Sequence, residues 1–431
     1  MPKFSEYMLT LQQITQNTEV VKQALAKKQF KEIQLIDEVI ALNEQRKKTQ
    51  TLLDEKLSRA NQIAKEIGQL FAQGKKEEAE TLKAETVAIK TETASLQQTL
   101  NDTEEHLKNI LVTIPNTPHE TVPQGKTPEE NVVVRQSENK VALVEGAKPH
   151  WELFEQYDIV DMALGTKITG AGFPVYKGKG AKLQRSLVTF FLDNAADSGY
   201  LEVIPPFMVN EDSAFATGQL PDKEGQMYHT VADNFYLIPT AEVPVTNIYR
   251  DVILNEEQLP VKLVAHSPCF RREAGSYGKE VRGLNRVHQF EKVEIVQITH
   301  PDKSYEVLEE MVQYVEGLLK QLELPYRILR LCGGDMGFTS ALTYDFEVYS
   351  AAQQRWLEVS SVSNFETYQA NRMKLRFKSK EDKKTQLAHT LNGSALALPR
   401  ILAALLENNQ TENGIRIPKA LVPYTGFEII G

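Results

Sequence analysis

The chain has 431 residues, 41% hydrophobic and 25% charged, enough for one large core and at least one accessory module. Its formal net charge of -9 excludes a general electrostatic pull toward nucleic acid, so any phosphate contact must come from local basic faces. Two cysteines, Cys269 and Cys332, exclude a disulfide framework and no zinc signature accompanies them; no apolar run is long enough for a membrane span and Met1 to Thr10 has no signal core, so a cytoplasmic location is expected.

Leu9 to Ala26 reads as a short helical segment with Ile14, Val20, Val21 and Ala24 on one face. From Gln29 to Leu111 there is no proline, and glycine is confined to Gly68 and Gly74, the composition of long helices. Steps of four and three from Leu35 reach Val39, Leu42, Arg46, Thr49, Leu53, Lys56, Ala60, Ile63, Ile67 and Leu70. The same steps from Ala79 reach Leu82, Thr86, Ile89, Thr93, Leu96, Leu100, Thr103, Leu107 and Ile110. Two apolar seams around one glycine break predict an antiparallel α-helical coiled-coil hairpin, each arm on the order of 55 Å long at about 1.5 Å per residue. An amphipathic helix pair lying flat on the body is the alternative.

Pro115, Pro118, Pro123, Pro128 and Pro149 then forbid a continuous helix, so 113–150 is expected to be an extended linker between an N-terminal domain, 1–112, and a second domain, 151–431. In the latter, helical stretches Gly180 to Ser198 and Pro301 to Leu322 alternate with short runs of branched and aromatic residues. Candidate strands are Tyr200 to Ile204, Asn234 to Pro239, Lys262 to Phe270, Val287 to Ile298, Tyr326 to Leu331, Tyr344 to Tyr349 and Trp356 to Ser361. Consecutive strands with few helices between them predict an α+β fold on a mainly antiparallel β-sheet. Neither a G-x-G-x-x-G turn nor a P-loop is present, so phosphate must be held in another way.

The densest polar cluster is Phe270-Arg271-Arg272-Glu273-Ala274-Gly275-Ser276, followed after a loop by Val287-His288-Gln289-Phe290-Glu291-Lys292-Val293-Glu294. As two strands, period two sets Arg271 and Glu273 on one face, and His288, Phe290, Lys292 and Glu294 on one face of the other. A guanidinium there can grip phosphate, an aromatic ring can stack a base and a carboxylate can hold an amine.

This pair of segments resembles motif 2 of the class II aminoacyl-tRNA synthetases, in the form used by the bacterial-type seryl enzymes. Thr240-Ala241-Glu242 resembles the serine-binding element of that family. Tyr344-Asp345-Phe346-Glu347-Val348 with Glu358-Val359-Ser360-Ser361 resembles its ATP and metal strand, and Asn392-Gly393-Ser394 leading to Arg400 resembles motif 3. Helix Gly180 to Asp197 with the strand up to Pro205-Pro206 resembles motif 1, which forms the family's dimer interface.

The resemblance implies a six- or seven-stranded antiparallel sheet, a homodimer, and a ligase that activates L-serine with ATP and passes it to tRNA(Ser), with tRNA(Sec) as a further acceptor. It implies that Arg271 holds the α-phosphate and Arg400 the γ-phosphate, with Arg272, Glu273, Val287 and Phe290 around the adenine. Glu358 and Ser361 are implied as Mg²⁺ ligands, flanking Val359 and Ser360 on the ATP strand, and Thr240, Ala241, Glu242, Glu294 and Ser394 as the serine pocket. The hairpin is implied to reach the long variable arm of the tRNA.

Two features depart from the pattern. Ala395, Ala397 and Pro399 stand where motif 3 usually alternates glycines, and Gln29 to Ile110 holds 12 Lys and Arg against 15 Asp and Glu. A tRNA-binding arm therefore needs residues such as Arg46, Lys47, Lys48, Arg59, Lys65, Lys75, Lys76 and Lys83 gathered on one face. The rival readings are an amino-acid:carrier-protein ligase, whose relatives lack the arm, and a non-catalytic scaffold, in which Arg271, Glu273, Glu294, Glu358 and Arg400 need not all survive.

Overall fold

The structure is a computed structural model and describes residues 9–138, 141, 143–222, 224–273, 282–381 and 383–431. The glycine-containing loop at 274–281 and residues 1–8 lie outside the described residues. Two compact units are distinguished, one running to Pro115 without residues 27–29, the other made of Lys27–Gln29 and Asn116–Gly431. Among the described residues no helix is long and apolar enough to cross a membrane.

The first unit is helical: α1 (Leu11–Gln16), α2 (Thr18–Lys27), α3 (Leu35–Ala72) and α4 (Lys76–Leu111). Thr10 starts it with a capping box, its hydroxyl accepting from the Gln13 N–H at 3.1 Å while the Gln13 side chain accepts from the Thr10 N–H at 2.9 Å. Val20 was expected on the buried face but is 65% exposed. The helix breaks at Asn17, and the face that α2 then buries is Val21 and Leu25, one turn apart, with Val20 off that stripe.

Between α3 and α4 the chain reverses at Gly74, whose left-handed φ of 75° suits the residue without a Cβ. The pairs Glu38 with His106, Lys56 with Glu92 and Arg59 with Glu85 advance along α3 as they retreat along α4, which defines the antiparallel hairpin. Every step of the second seam is at least partly buried. Every step of the first seam is also at least partly buried, and near its base Ile36 and Asn43 are buried beside the half-buried Leu35 and Leu42.

The second unit is built on an eight-stranded sheet: β1 (Val132–Gln136), β2 (Leu201–Glu202), β3 (Val261–Phe270), β4 (Gln289–Thr299), β5 (Tyr326–Arg330), β6 (Leu342–Ser350), β7 (Arg355–Glu366) and β8 (His389–Ala397). Their order is β1-β5-β6-β7-β8-β4-β3-β2. All neighbours are antiparallel except β2, which lies parallel to β3 with Leu201 opposite Leu263. The count exceeds the expected six or seven because the proline-rich stretch contributes β1 at one edge. Asn234 to Pro239 contributes instead to a separate three-stranded sheet.

Helices α5 (His150–Tyr157), α6 (Gly178–Asp197), α7 (Glu242–Asn247), α8 (Ser304–Gln321), α9 (Tyr368–Met373) and α10 (Leu398–Asn408) surround this sheet. Phe190 and Phe191 of α6, Met311 and Val315 of α8, and Leu402 and Leu405 of α10 join Val293 and Ile295 of β4 in the main core. Because strand side chains alternate, Lys292 and Glu294 then fall on the opposite face of β4. There they line a cavity.

Candidate active site

The cavity has a volume of about 590 Å³ and opens over β4, β6, β7 and β8. At its buried end Glu294 and Ser394 are cross-strand partners on β4 and β8, and the Ser394 hydroxyl donates to Glu294 Oε2 at 3.3 Å. Lys292 Nζ lies 2.5 Å from the same carboxylate and donates to Thr240 Oγ1 at 2.8 Å. The Thr240 hydroxyl also accepts the Glu242 backbone N–H at 3.2 Å as α7 begins, which fixes the Thr-x-Glu turn. Glu242 accepts from the neutral amide of Gln369 on α9 at 2.6 Å. Burial, then the nearby charge of Glu294, pushes the Glu242 carboxyl up to about 7, against the opposing pull of Gln369 and Lys292.

The open end is arginine-lined. Arg271 Nε donates to the Pro239 carbonyl at 3.3 Å and its guanidinium stands 5.3 Å from the centre of the Phe290 ring. Arg286 pairs with Glu273. Arg400, near the start of α10, donates from Nε to the Asn285 carbonyl at 2.9 Å and from Nη1 to the Glu358 carbonyl at 2.8 Å, with the Glu358 carboxylate 3.7 Å away. Val287 forms part of the wall, as do Val359, Ser360 and Ser361 on β7. The Ser360 hydroxyl donates to the Ser394 carbonyl at 2.6 Å, tying β7 to β8.

Asp345 sits opposite Ser361 in the β6–β7 ladder, and among the described residues its buried Oδ1 has no hydrogen-bond partner. Burial, then the charge of Glu358, holds its carboxyl well above the usual range. An unsatisfied buried carboxylate oxygen beside a second carboxylate and a hydroxyl suits a hard cation. Among the described residues no three His, Cys, Asp or Glu side chains form a ready-made metal cage.

Thirteen of the expected residues therefore meet in one cavity: Thr240, Glu242, Arg271, Glu273, Val287, Phe290, Glu294, Glu358, Val359, Ser360, Ser361, Ser394 and Arg400. Two do not. Ala241 packs its methyl into an apolar cluster with Val245, Leu263, Ala265 and Val296 beneath the pocket. Arg272 lies outside, its N–H donating to the Gln226 carbonyl at 2.9 Å and its guanidinium 5.8 Å from the Tyr228 ring. The expected face also included His288, which instead stacks on Phe173 at 5.4 Å and bonds to the Tyr228 hydroxyl at 3.2 Å. Both β3 and β4 stop short of these residues, and Glu273 takes a left-handed φ of 47°, so period two no longer governs them.

Sequence reasoning gave no role to Lys292, Arg286, Asp345 or Gln369. Lys292 was already on the right face of its strand, and Asp345 within a quoted motif. Arg286 lies in the loop and Gln369 on a helix that no motif marked.

A family model described as "tRNA synthetase class II core domain (G, H, P, S and T)" matches residues 227–409, and one described as "Seryl-tRNA synthetase N-terminal domain" matches residues 8–118. The chain is 48% identical to a serine–tRNA ligase of Salinibacter ruber, over 98% of this chain and 99% of that protein. It is 46% identical to the serine–tRNA ligase of Carboxydothermus hydrogenoformans at the same coverage, 98% and 99%. The crystal structure of seryl-tRNA synthetase from Pyrococcus horikoshii complexed with ATP superposes with a TM-score of 0.92 at 33% identity, covering 98% of this chain and 99% of that one. The cytoplasmic serine–tRNA ligase of Naegleria fowleri in complex with AMP gives 0.87 at 26% identity, covering 99% of each. Likeness that spans hairpin and sheet alike leaves no place for a carrier ligase lacking the arm. By sequence over nearly its full length and by fold, the chain belongs to the seryl-tRNA synthetase family of class II aminoacyl-tRNA synthetases.

Proposed function

We propose that this chain activates L-serine with ATP, releasing pyrophosphate, and transfers the seryl group to the 3′ end of tRNA(Ser). The observation that carries the reading is the pair of carboxylates in one pocket: Glu294 is already matched by Lys292 at 2.5 Å, whereas Glu242 is held by a neutral amide. The unmatched carboxylate calls for a cationic ligand group, the serine α-ammonium. The matched one, with Ser394 beside it, is left to accept from the serine hydroxyl. Such hydrogen bonds reject glycine and alanine, which cannot be excluded by size, because their binding leaves buried polar groups unpaired.

In activation, a serine carboxylate oxygen attacks the α-phosphorus in line, the bond to the β-phosphate oxygen breaks and pyrophosphate leaves. No covalent intermediate with the protein is required, so the side chains position reactants and neutralise charge. Arg271 meets the α-phosphate and the attacking carboxylate, Arg400 and Arg286 meet the outer phosphates, and Phe290 offers its face to adenine. Binding of ATP thus replaces the contacts that Arg286 makes with Glu273 and Arg400 with Glu358. Mg²⁺ held by Glu358, Ser361 and Asp345 would spread phosphate charge; this ion is bound by one or two carboxylates and substrate phosphates rather than by a full protein cage.

The hairpin unit is assigned to tRNA binding, with tRNA(Sec) as a second acceptor. A homodimer is supported by the apolar side chains of Leu201 and Ile204, 64% and 83% exposed, which follow the helix that resembles motif 1. A cytoplasmic site agrees with the two free cysteines. Charging of tRNA(Ser) with radiolabelled serine tests the proposal: serine-dependent labelling is expected, and its absence with active tRNA overturns it.

A further inference from the structure

Behind the segment 282–287, on the side away from the cavity, lies a polar cluster closed off from solvent. His150 and Glu407 are each 0% exposed. The Leu284 backbone N–H donates to His150 Nε2 at 2.9 Å, so that nitrogen must carry the lone pair. The ring proton therefore sits on Nδ1 and is donated to Glu407 Oε1 at 2.6 Å. The same oxygen accepts the His150 backbone N–H at 2.9 Å and the Gln353 amide at 2.9 Å, and the Ser350 hydroxyl donates to the other.

The cluster reaches the cavity wall by two routes. Gln353 Oε1 accepts from the Asn285 side chain at 2.9 Å, and the Asn285 carbonyl accepts from Arg400 Nε at 2.9 Å. Gly283, with φ 66°, lies so close to the imidazole that a Cβ would stand 2.2 Å from Nε2. Four donors on one buried carboxylate cost desolvation that an apolar filling of equal volume would avoid, so a network this complete needs a reason other than stability. The reason lies in what it grips: the backbone on either side of Arg286, and the carbonyl that orients Arg400.

We infer that His150 and Glu407 are positioning residues for ATP: together they hold Gly283 to Val287 where Arg286 and Val287 line the cavity and where Asn285 aims Arg400. Neither touches the cavity itself. The imidazole works as a two-ended bridge that measures the distance between α10, which carries both Glu407 and Arg400, and the returning limb of the loop. This inference rests on the reading of the cavity as the ATP site.

The test uses the full-length protein in two variants that each keep one end of the bridge. In His150→Asn the amide can replace Nδ1 toward Glu407 but cannot reach Leu284; in His150→Gln the side-chain oxygen can replace Nε2 toward Leu284. Hydrogen exchange of residues 282–287 by mass spectrometry reads the bridge, and ATP–pyrophosphate exchange reads its use. His150→Asn is expected to speed amide exchange in that segment and to raise KM for ATP about tenfold, the worth of one buried hydrogen bond. KM for serine stays within about twofold, and His150→Gln recovers most of the loss in both readouts. If neither variant folds, Glu407→Gln, which keeps an oxygen toward Nδ1, is expected to raise KM for ATP selectively. The inference is overturned if exchange of the segment is unchanged, if it speeds up while KM for ATP does not move, or if the two KM values rise together. A wild-type protein with no serine-dependent exchange refutes the assignment of the cavity, and this inference with it, while the amide readout still reports whether the bridge exists.

Discussion

Lys292 and Glu294 stand two residues apart on one strand, on the same face, with their charged groups 2.5 Å apart and their side chains 6% and 1% exposed. So dry a pair fixes which of the two pocket carboxylates is already balanced before any ligand arrives.

Replacing Lys292 by Met keeps the volume and strands the Glu294 charge. Removing one partner of a buried pair costs about 3 to 5 kcal/mol. Urea unfolding is expected to show a loss of this order, and KM for serine to rise, since Thr240 loses its donor at the same time. A variant as stable as wild type would show that Glu294 does not depend on Lys292.

Glu242 gives a pH signature. Its folded value of about 7 lies above the ordinary carboxyl value of about 4.3. A raised value means that the folded state binds this proton more tightly, so its contribution to stability is complete below about pH 4.3 and is lost as pH rises through about 7. Relative to Glu242→Gln, the wild type is therefore expected to lose stability across that window. The serine ammonium selects the ionised form, so KM for serine in pyrophosphate exchange is expected to fall about tenfold from pH 6 to pH 8 at saturating ATP. A flat profile would remove Glu242 as the ammonium partner.

Arg400 and Arg271 bond mainly to backbone carbonyls, at 2.8 to 3.3 Å. Their replacement by Ala is expected to leave the melting temperature nearly unchanged and to lower kcat for pyrophosphate exchange by about 100-fold or more, as for other lost transition-state charge contacts. Equal losses in melting temperature and rate would point to a structural role instead.

Ile63 is wholly buried in the hairpin. Ile63→Ala is expected to cost about 2 to 5 kcal/mol in the helical unit. Because the cavity belongs to the other unit, serine-dependent pyrophosphate exchange is expected to survive while tRNA charging falls. Loss of both activities in parallel would contradict that division of labour.

The long elements were legible because their signals repeat. Ten positions of the second seam, from Ala79 to Ile110, agree on one buried stripe, whereas near the foot of α3 the stripe widens to bury Ile36 and Asn43 beside the half-buried Leu35 and Leu42. The proline rule excluded a helix over 113–150 but could not exclude an edge strand, and β1 lies there. Motif letters located most of the cavity, yet they swept in Ala241, whose side chain faces an apolar cluster, and Arg272, which lies past the end of its strand. Period two tells which face a residue takes, not which charges meet across elements. The bond of Lys292 to Thr240, the pairing of Arg286 with Glu273 and the register of Asp345 against Ser361 join residues on different elements and became visible only in the fold.

The most direct test of the account is ATP–pyrophosphate exchange with serine, threonine, alanine and cysteine offered separately to the intact protein. Robust exchange with serine and little with the other three is the predicted result. Equal exchange with alanine would contradict a pocket that selects by the hydroxyl through Glu294 and Ser394, and no exchange with any of them would contradict the assignment of the cavity as an adenylating site.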